Sequence, residues 1–197
     1  MTKLRDIADI RSGLTFRTRA EPNPAGGYRL LQIKDITGDG ALRLDNLMLT
    51  DVSGHPSDSV LRQGDVLLTA RGTRNQAALF DVPFDNIIVG SQFFIIRLRS
   101  QVVLPAFLAW HLNQHESQRY LRENTSGSYI PFLPKGPLAE LPVPFPSLTV
   151  QRSIVEIHRL SVQENHLAQT IQEKRNQLTA LALHRALAAD LKHSVSP

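Results

Sequence analysis

The chain has 197 residues, 42% hydrophobic and 20% charged, which allows a sizeable core and excludes wholesale disorder. It contains no cysteine, so disulfide scaffolds, thiolate zinc sites and cysteine nucleophiles are all excluded. Net charge is +4, with 17 Arg and 5 Lys against 18 acids; the planar arginine fork suits phosphates and guanine edges, so the balance permits a nucleic-acid partner without establishing one.

The first ten residues, MTKLRDIADI, lack the apolar core of a signal peptide, and no run approaches the ~18 apolar residues of a membrane span. A cytoplasmic protein with no membrane contact is expected. Leu4–Arg11 reads as a helix ended by Ser12-Gly13. Four short apolar runs follow, Tyr28–Ile33, Asp65–Thr69, Ile87–Val89 and Phe93–Leu98, and read as strands. Gly38-Asp39-Gly40, Gly64-Asp65 and Arg71-Gly72 supply turns between them. Pro105–Arg122 reads as a second helix that starts on its proline.

Six of the 12 prolines then crowd between Pro131 and Pro146. Residues 147–196 contain no glycine, proline or aromatic, which predicts one long helix after a stiff hinge. Ser147 or Thr149 can cap its start, and it can run to about Asp190. The expected organisation is an α+β domain over residues 1–146, with a mixed or antiparallel sheet, helices and a proline-rich hinge at 131–146. A helix over 147–193 and a disordered tail at 194–197 complete it.

Placing Ile157, Glu164, Ile171, Leu178 and Arg185 at heptad position a puts Leu160, Leu167, Lys174, Leu181 and Ala188 at d. A lone helix cannot bury such a stripe, and too few residues remain for a second one of this length. Ile157, Leu160, Leu167, Ile171, Leu178 and Leu181 are therefore expected to meet another chain in a coiled coil.

Catalytic motifs are sparse. None of the lysines follows a glycine-rich phosphate loop. Glu21-Pro22-Asn23-Pro24-Ala25 lacks the paired prolines and aromatic of an amino-methylating enzyme and reads as a loop. His111 and His115, four apart beside Glu116, allow a lesser reading as a metal-dependent nuclease, although no third ligand accompanies them. Two polar loops point elsewhere. Thr69–Gln76 sets two arginines, an amide pair and hydroxyls around Gly72, residue types that bridge base edges. Asn124–Tyr129 leads into Pro131–Lys135 with hydroxyls and a lysine suited to phosphate, or equally with Tyr129 and Phe132 packing the hinge.

The order of segments carries more than any one of them. Leu4–Gly13 (LRDIADIRSG) is followed by Tyr28–Ile36 (YRLLQIKDI), Gly64–Thr69 (GDVLLT) and Arg71-Gly72-Thr73. Gly90–Arg97 (GSQFFIIR), Leu104–Leu112 (LPAFLAWHL), Gly127–Pro131 (GSYIP) and Leu141–Val155 (LPVPFPSLTVQRSIV) complete the series. This series resembles one repeat of a type I restriction–modification specificity subunit, a target recognition domain followed by its spacer helix, over essentially the whole chain. The resemblance implies a non-catalytic reader of double-stranded DNA that holds DNA methyltransferase (modification) subunits through its helix, with a restriction subunit as a further partner. S-adenosylmethionine would belong to the methyltransferase, and no cofactor to this chain. On that resemblance Arg71, Thr73, Arg74, Asn75 and Gln76 are the first candidates for DNA contact, and Lys34, Gln92, Ser128 and Lys135 the second. Family members usually carry two recognition domains and two helices, and this chain has one of each. A homodimer through antiparallel C-terminal helices, reading inverted half-sites from opposite ends of a spacer of about 65 Å, is the expectation. A coiled-coil DNA- or RNA-binding scaffold without an enzyme partner is the alternative.

Overall fold

The structure, a computed structural model, describes residues 2–16, 20–52, 56, 58–72, 74–127 and 131–193; the expected tail at 194–197 lies outside them. The chain opens with β1 (Thr2–Lys3), α1 (Leu4–Ile7) and β2 (Ala8–Ser12), then β3 (Tyr28–Leu31), β4 (Met48–Thr50), β5 (Asp65–Thr69), β6 (Ala77–Phe80), β7 (Ile87–Val89) and β8 (Phe93–Leu98). It continues with α2 (Pro105–Leu112), α3 (His115–Glu123), α4 (Lys135–Glu140), β9 (Pro142–Val143) and the 46-residue α5 (Leu148–His193). The chain divides into two units, Met1–Val155 and Glu156–Pro197, with the division falling inside α5.

In the first unit, a four-stranded antiparallel sheet of order β2-β8-β5-β6 lies at the centre. Alternation along β5 and β8 gives it two apolar faces. Val66, Leu68, Phe94 and Ile96 pack toward Phe107, Leu108, Leu112, Leu121 and Leu138 of the helices. Leu67, Phe93 and Ile95 pack toward Leu31, Ile87 and Val89 of a second sheet, order β4-β3-β7, in which β3 and β7 run parallel. Helices, central sheet and small sheet therefore stack as three layers. β1 pairs with β9 and ties the N-terminus to the hinge, while Lys3 and Arg5 ion-pair with Glu140 of α4.

Several elements differ from the sequence expectation. The helix read at Leu4–Arg11 stops at Ile7: Asp6 accepts the Lys3 amide at its start (3.1 Å), and Ala8 turns extended (φ −141°, ψ 150°). Its second half is β2, because Ala8–Ser12 can satisfy a full register against β8. The strand read at Tyr28–Ile33 ends at Leu31, and Ile33 opens a short 3-10 turn to Asp35. The single helix read at Pro105–Arg122 is two. The Asn113 amide makes both of its bonds to the backbone of Ala77, at 2.9 Å each, covering the edge strand β6 as another strand would. Gln114 then turns extended (ψ 155°) before α3 begins.

The long helix forms as expected, with Ser147 as its cap: Ser147 Oγ accepts the Val150 amide (3.4 Å). Gln151 on its first turn is fully buried. Its Oε1 accepts the Leu104 amide (2.8 Å), and its Nε2 donates to Val102 O (2.8 Å) and Pro146 O (2.9 Å). One amide thus joins the segment after β8, the hinge and the helix start. Among the described residues, no helix is long and apolar enough to cross a membrane.

Candidate functional site

β5 and β8 run antiparallel with Thr69 opposite Phe93, so the end of β5 and the start of β8 share one end of the central sheet. β6 begins there too, with Ala77 beside Leu68, and β2 finishes there, with Ser12 beside Phe94. β3 and β7 end together at Leu31 and Val89, and Leu14 bridges Gly90 on the same side. The connections leaving these strands therefore form one rim. The start of α5 is tied to Val102 and Leu104, beyond the other end of β8.

The rim gathers sequence-predicted residues spread from Lys34 to Lys135. The β5–β6 loop is closed by Thr69, whose hydroxyl donates to Arg74 O and accepts the Gln76 amide, both at 2.8 Å. Gly72 sits at φ +104°, where a Cβ would be strained, and its amide reaches Pro131 O (3.0 Å). Ala70 donates to Gln92 O (2.7 Å) and accepts the Leu133 amide (2.8 Å). The Gln76 side chain reaches Thr37 O, joining the loop to the segment after the 3-10 turn. Gly13 lies so close to the β7–β8 turn that a Cβ would fall 2.2 Å from Gly90 O.

On this frame Arg71, Arg74, Lys34, Gln92 and Lys135 are exposed, with Lys135 at the first position of α4. Lys34 and Gln92 line one cleft of about 500 Å³ with Gln32, Ser91 and Phe16. Asn75 is the exception. It is 3% exposed, its side-chain Nδ2 donates to Thr69 O (2.8 Å), and its backbone carbonyl accepts from Gln118 Nε2 (2.6 Å). It holds the hairpin and is buried there, which corrects its place among the exposed contact candidates. Gln76 is half-buried with its amide already bonded. Thr73, Ser128 and Tyr129 lie outside the described residues.

Of the two alternatives open for Pro131–Lys135, hinge packing does not hold for Phe132, which is 44% exposed and bridges both Arg71 and Ser126, while neighbouring Leu133 is the buried anchor. It belongs to the rim. Its flanking prolines could have signalled an extended segment, although not which side chain faces outward. The metal-like pair also dissolves: His111 closes α2 and His115 opens α3, so they share no helix face. His111 Nε2 lies 3.1 Å from Pro142 O, which as a carbonyl only accepts, so that nitrogen carries the proton. The ring stacks on Phe107 and lines a groove with Trp110 and Phe145. Burial there pushes its pKa down, against the Pro142 hydrogen bond and the Glu116 carboxylate, which both raise it.

The rim can therefore do two things chemically. Cations of this kind suit phosphates, and the side chains of Arg71, Arg74 and Gln92 carry donors in forks or pairs of the kind that suit base edges. In α5, Ile157, Leu160, Leu167, Ile171, Leu178 and Leu181 are all exposed, with fractional exposures of 49–67%.

Comparison with known proteins supplies the context. A family model described as "Type I restriction modification DNA specificity domain" matches residues 1–180. The Type I restriction enzyme HindI specificity subunit of Haemophilus influenzae is 26% identical over 157 residues, which is 77% of this chain and 33% of that protein. A chain in a structure concerning complex assembly and conformational transition of the type I R-M system superposes with a TM-score of 0.68 at 21% identity, over 91% of this chain and 42% of that one. The HsdS subunit from Thermoanaerobacter tengcongensis superposes with a TM-score of 0.57 at 20% identity, over 83% of this chain and 37% of that one. At these identities the solved structures establish the fold alone, an α+β domain and a long helix. The chain spans between a third and about two-fifths of the length of these relatives.

Proposed function

Because this chain belongs to the type I restriction modification DNA specificity domain family, we propose that it is a DNA specificity subunit reading one half-site of a bipartite target. The observation that carries this reading is the rim, where Lys34, Arg71, Arg74, Gln92 and Lys135 converge from four separate segments at the end of β8 away from the start of α5. Scattered surface cations would suit non-specific attraction. Cations and amide donors fixed on one hydrogen-bonded frame suit groove readout with phosphate positioning. Arg71, Arg74 and Gln92 are assigned to base edges, and Lys34 and Lys135 to phosphates. Thr73 and Ser128 remain candidates by their place in the same two loops.

The chain contributes address rather than chemistry. Methyl transfer belongs to a partner adenine methyltransferase that carries its own S-adenosylmethionine, and DNA cleavage to a restriction subunit where one joins. α5 supplies the docking rod for those subunits. Its exposed apolar stripe supports pairing with a second copy of the chain through antiparallel helices, which would put two half-sites in inverted orientation.

Selection of duplexes from a randomised pool by the purified chain tests this reading. Enrichment of a defined sequence, then bound ~10³-fold or more above random DNA in competition, is expected. Equal retention of all duplexes would favour a non-specific scaffold, and cutting of the pool by the chain alone would contradict a non-catalytic role.

A further inference from the structure

The exposed stripe of α5 has an internal symmetry that neither its composition nor its length requires. Its a and d positions between Ile157 and Leu181 read Ile157, Leu160, Glu164, Leu167, Ile171, Lys174, Leu178 and Leu181. Counting inward from the two ends matches Ile157 with Leu181, Leu160 with Leu178, Glu164 with Lys174, and Leu167 with Ile171. In each match the two residue numbers add to the same sum, so the stripe is self-complementary about Gln169. An a position is always matched with a d position, the layer pattern of antiparallel helices.

We infer that two copies of the chain pair through α5 in one antiparallel register, with the twofold axis at Gln169 and Glu164 of each copy facing Lys174 of the other. The inference rests on the homodimer reading above and specifies its geometry. Every apolar layer then meets an apolar layer, and the two charged interruptions neutralise each other twice over. Competing arrangements fail on charge. A parallel pair in register sets Glu164 against Glu164 and Lys174 against Lys174. Sliding the antiparallel pair by one heptad sets Glu164 and Lys174 against leucine or isoleucine, in either direction. A charge against an apolar layer in a coiled-coil core costs stability, whereas an opposed pair selects register. Within its own copy the Lys174 ammonium reaches only the Gln177 side-chain oxygen among the described residues, at 3.3 Å. This register separates the two helix starts by about 63 Å along the pair, since Leu148 lies 21 residues before the axis at 1.5 Å each.

The full-length chain tests this by sedimentation, charge reversal and cross-linking, and its lack of native cysteine makes the last unambiguous. Glu164→Lys and Lys174→Glu should each raise the dimer dissociation constant about tenfold, and the double exchange should return it close to the starting value. A variant carrying Leu160→Cys and Leu178→Cys should oxidise to a covalent dimer, and either cysteine alone should not. A dimer that fails to cross-link through the cysteine pair, or cross-links through either cysteine alone, overturns the register and leaves self-pairing intact. A chain monomeric at micromolar concentration overturns the homodimer reading itself.

Discussion

Asp65 begins β5 with 1% of its side chain exposed, and it is satisfied from two directions. Arg97 on the neighbouring strand donates Nε and Nη2 to its two oxygens at 2.7 and 2.6 Å, and the Arg62 amide adds a third bond at 2.8 Å. The carboxylate in turn holds the Arg97 guanidinium above its ordinary pKa. Removing one partner leaves a charge stranded beside the core, so Asp65→Ala should lower unfolding free energy by about 3–5 kcal/mol in urea denaturation. His111 makes a subtler contribution. Burial favours the neutral ring and depresses its pKa below the ordinary 6.5. The stabilisation is fully present above pH 6.5 and is lost as pH falls through the lowered folded-state value. Melting temperature followed across that range should fall less steeply in His111→Gln than in the parent chain. At the rim, Arg74 is assigned to a base edge. Arg74→Ala should weaken DNA binding by about 1–3 kcal/mol and relax preference at one position. A uniform loss with the salt slope reduced by about 0.9 would place it on a phosphate instead.

At the scale of elements, the start of α5 depends on Gln151, whose buried amide serves two carbonyls and one N–H. Gln151→Ala should cost about 2 kcal/mol. It should also speed hydrogen exchange at Leu104 while leaving the α5 stripe unchanged. How much was legible varied with how locally each element is determined. β5, β7 and β8 are short apolar runs bounded by turns, and their limits were read correctly. α5 was visible because 49 consecutive residues after Ser147 lack every helix breaker. β2 was misread because Leu4, Ile7 and Ile10 mimic helical spacing; only its partner β8 makes Ala8–Ser12 a strand. β6 opens with two alanines, weak strand formers, and its pairing with β5 decides the matter. The break between α2 and α3 has no glycine or proline, since Asn113 makes it by bonding to a strand 36 residues away in sequence.

At the scale of the whole molecule, the candidate site was half legible. Residue type marked Arg71, Arg74 and Lys135, but their convergence depends on strand ends that only the register of the two sheets brings together. Asn75 shows the opposite limit: a base-reading residue type in the right loop, turned inward to close the hairpin. On the proposed function, this chain supplies an address while a docked enzyme supplies the reaction. Sequencing of methylated adenines in cells that carry the chain with its methyltransferase separates the two contributions. Modification should be confined to one bipartite motif, lost without the chain and altered by Arg74→Ala, and methylation that persists unchanged without the chain is incompatible with this division of roles.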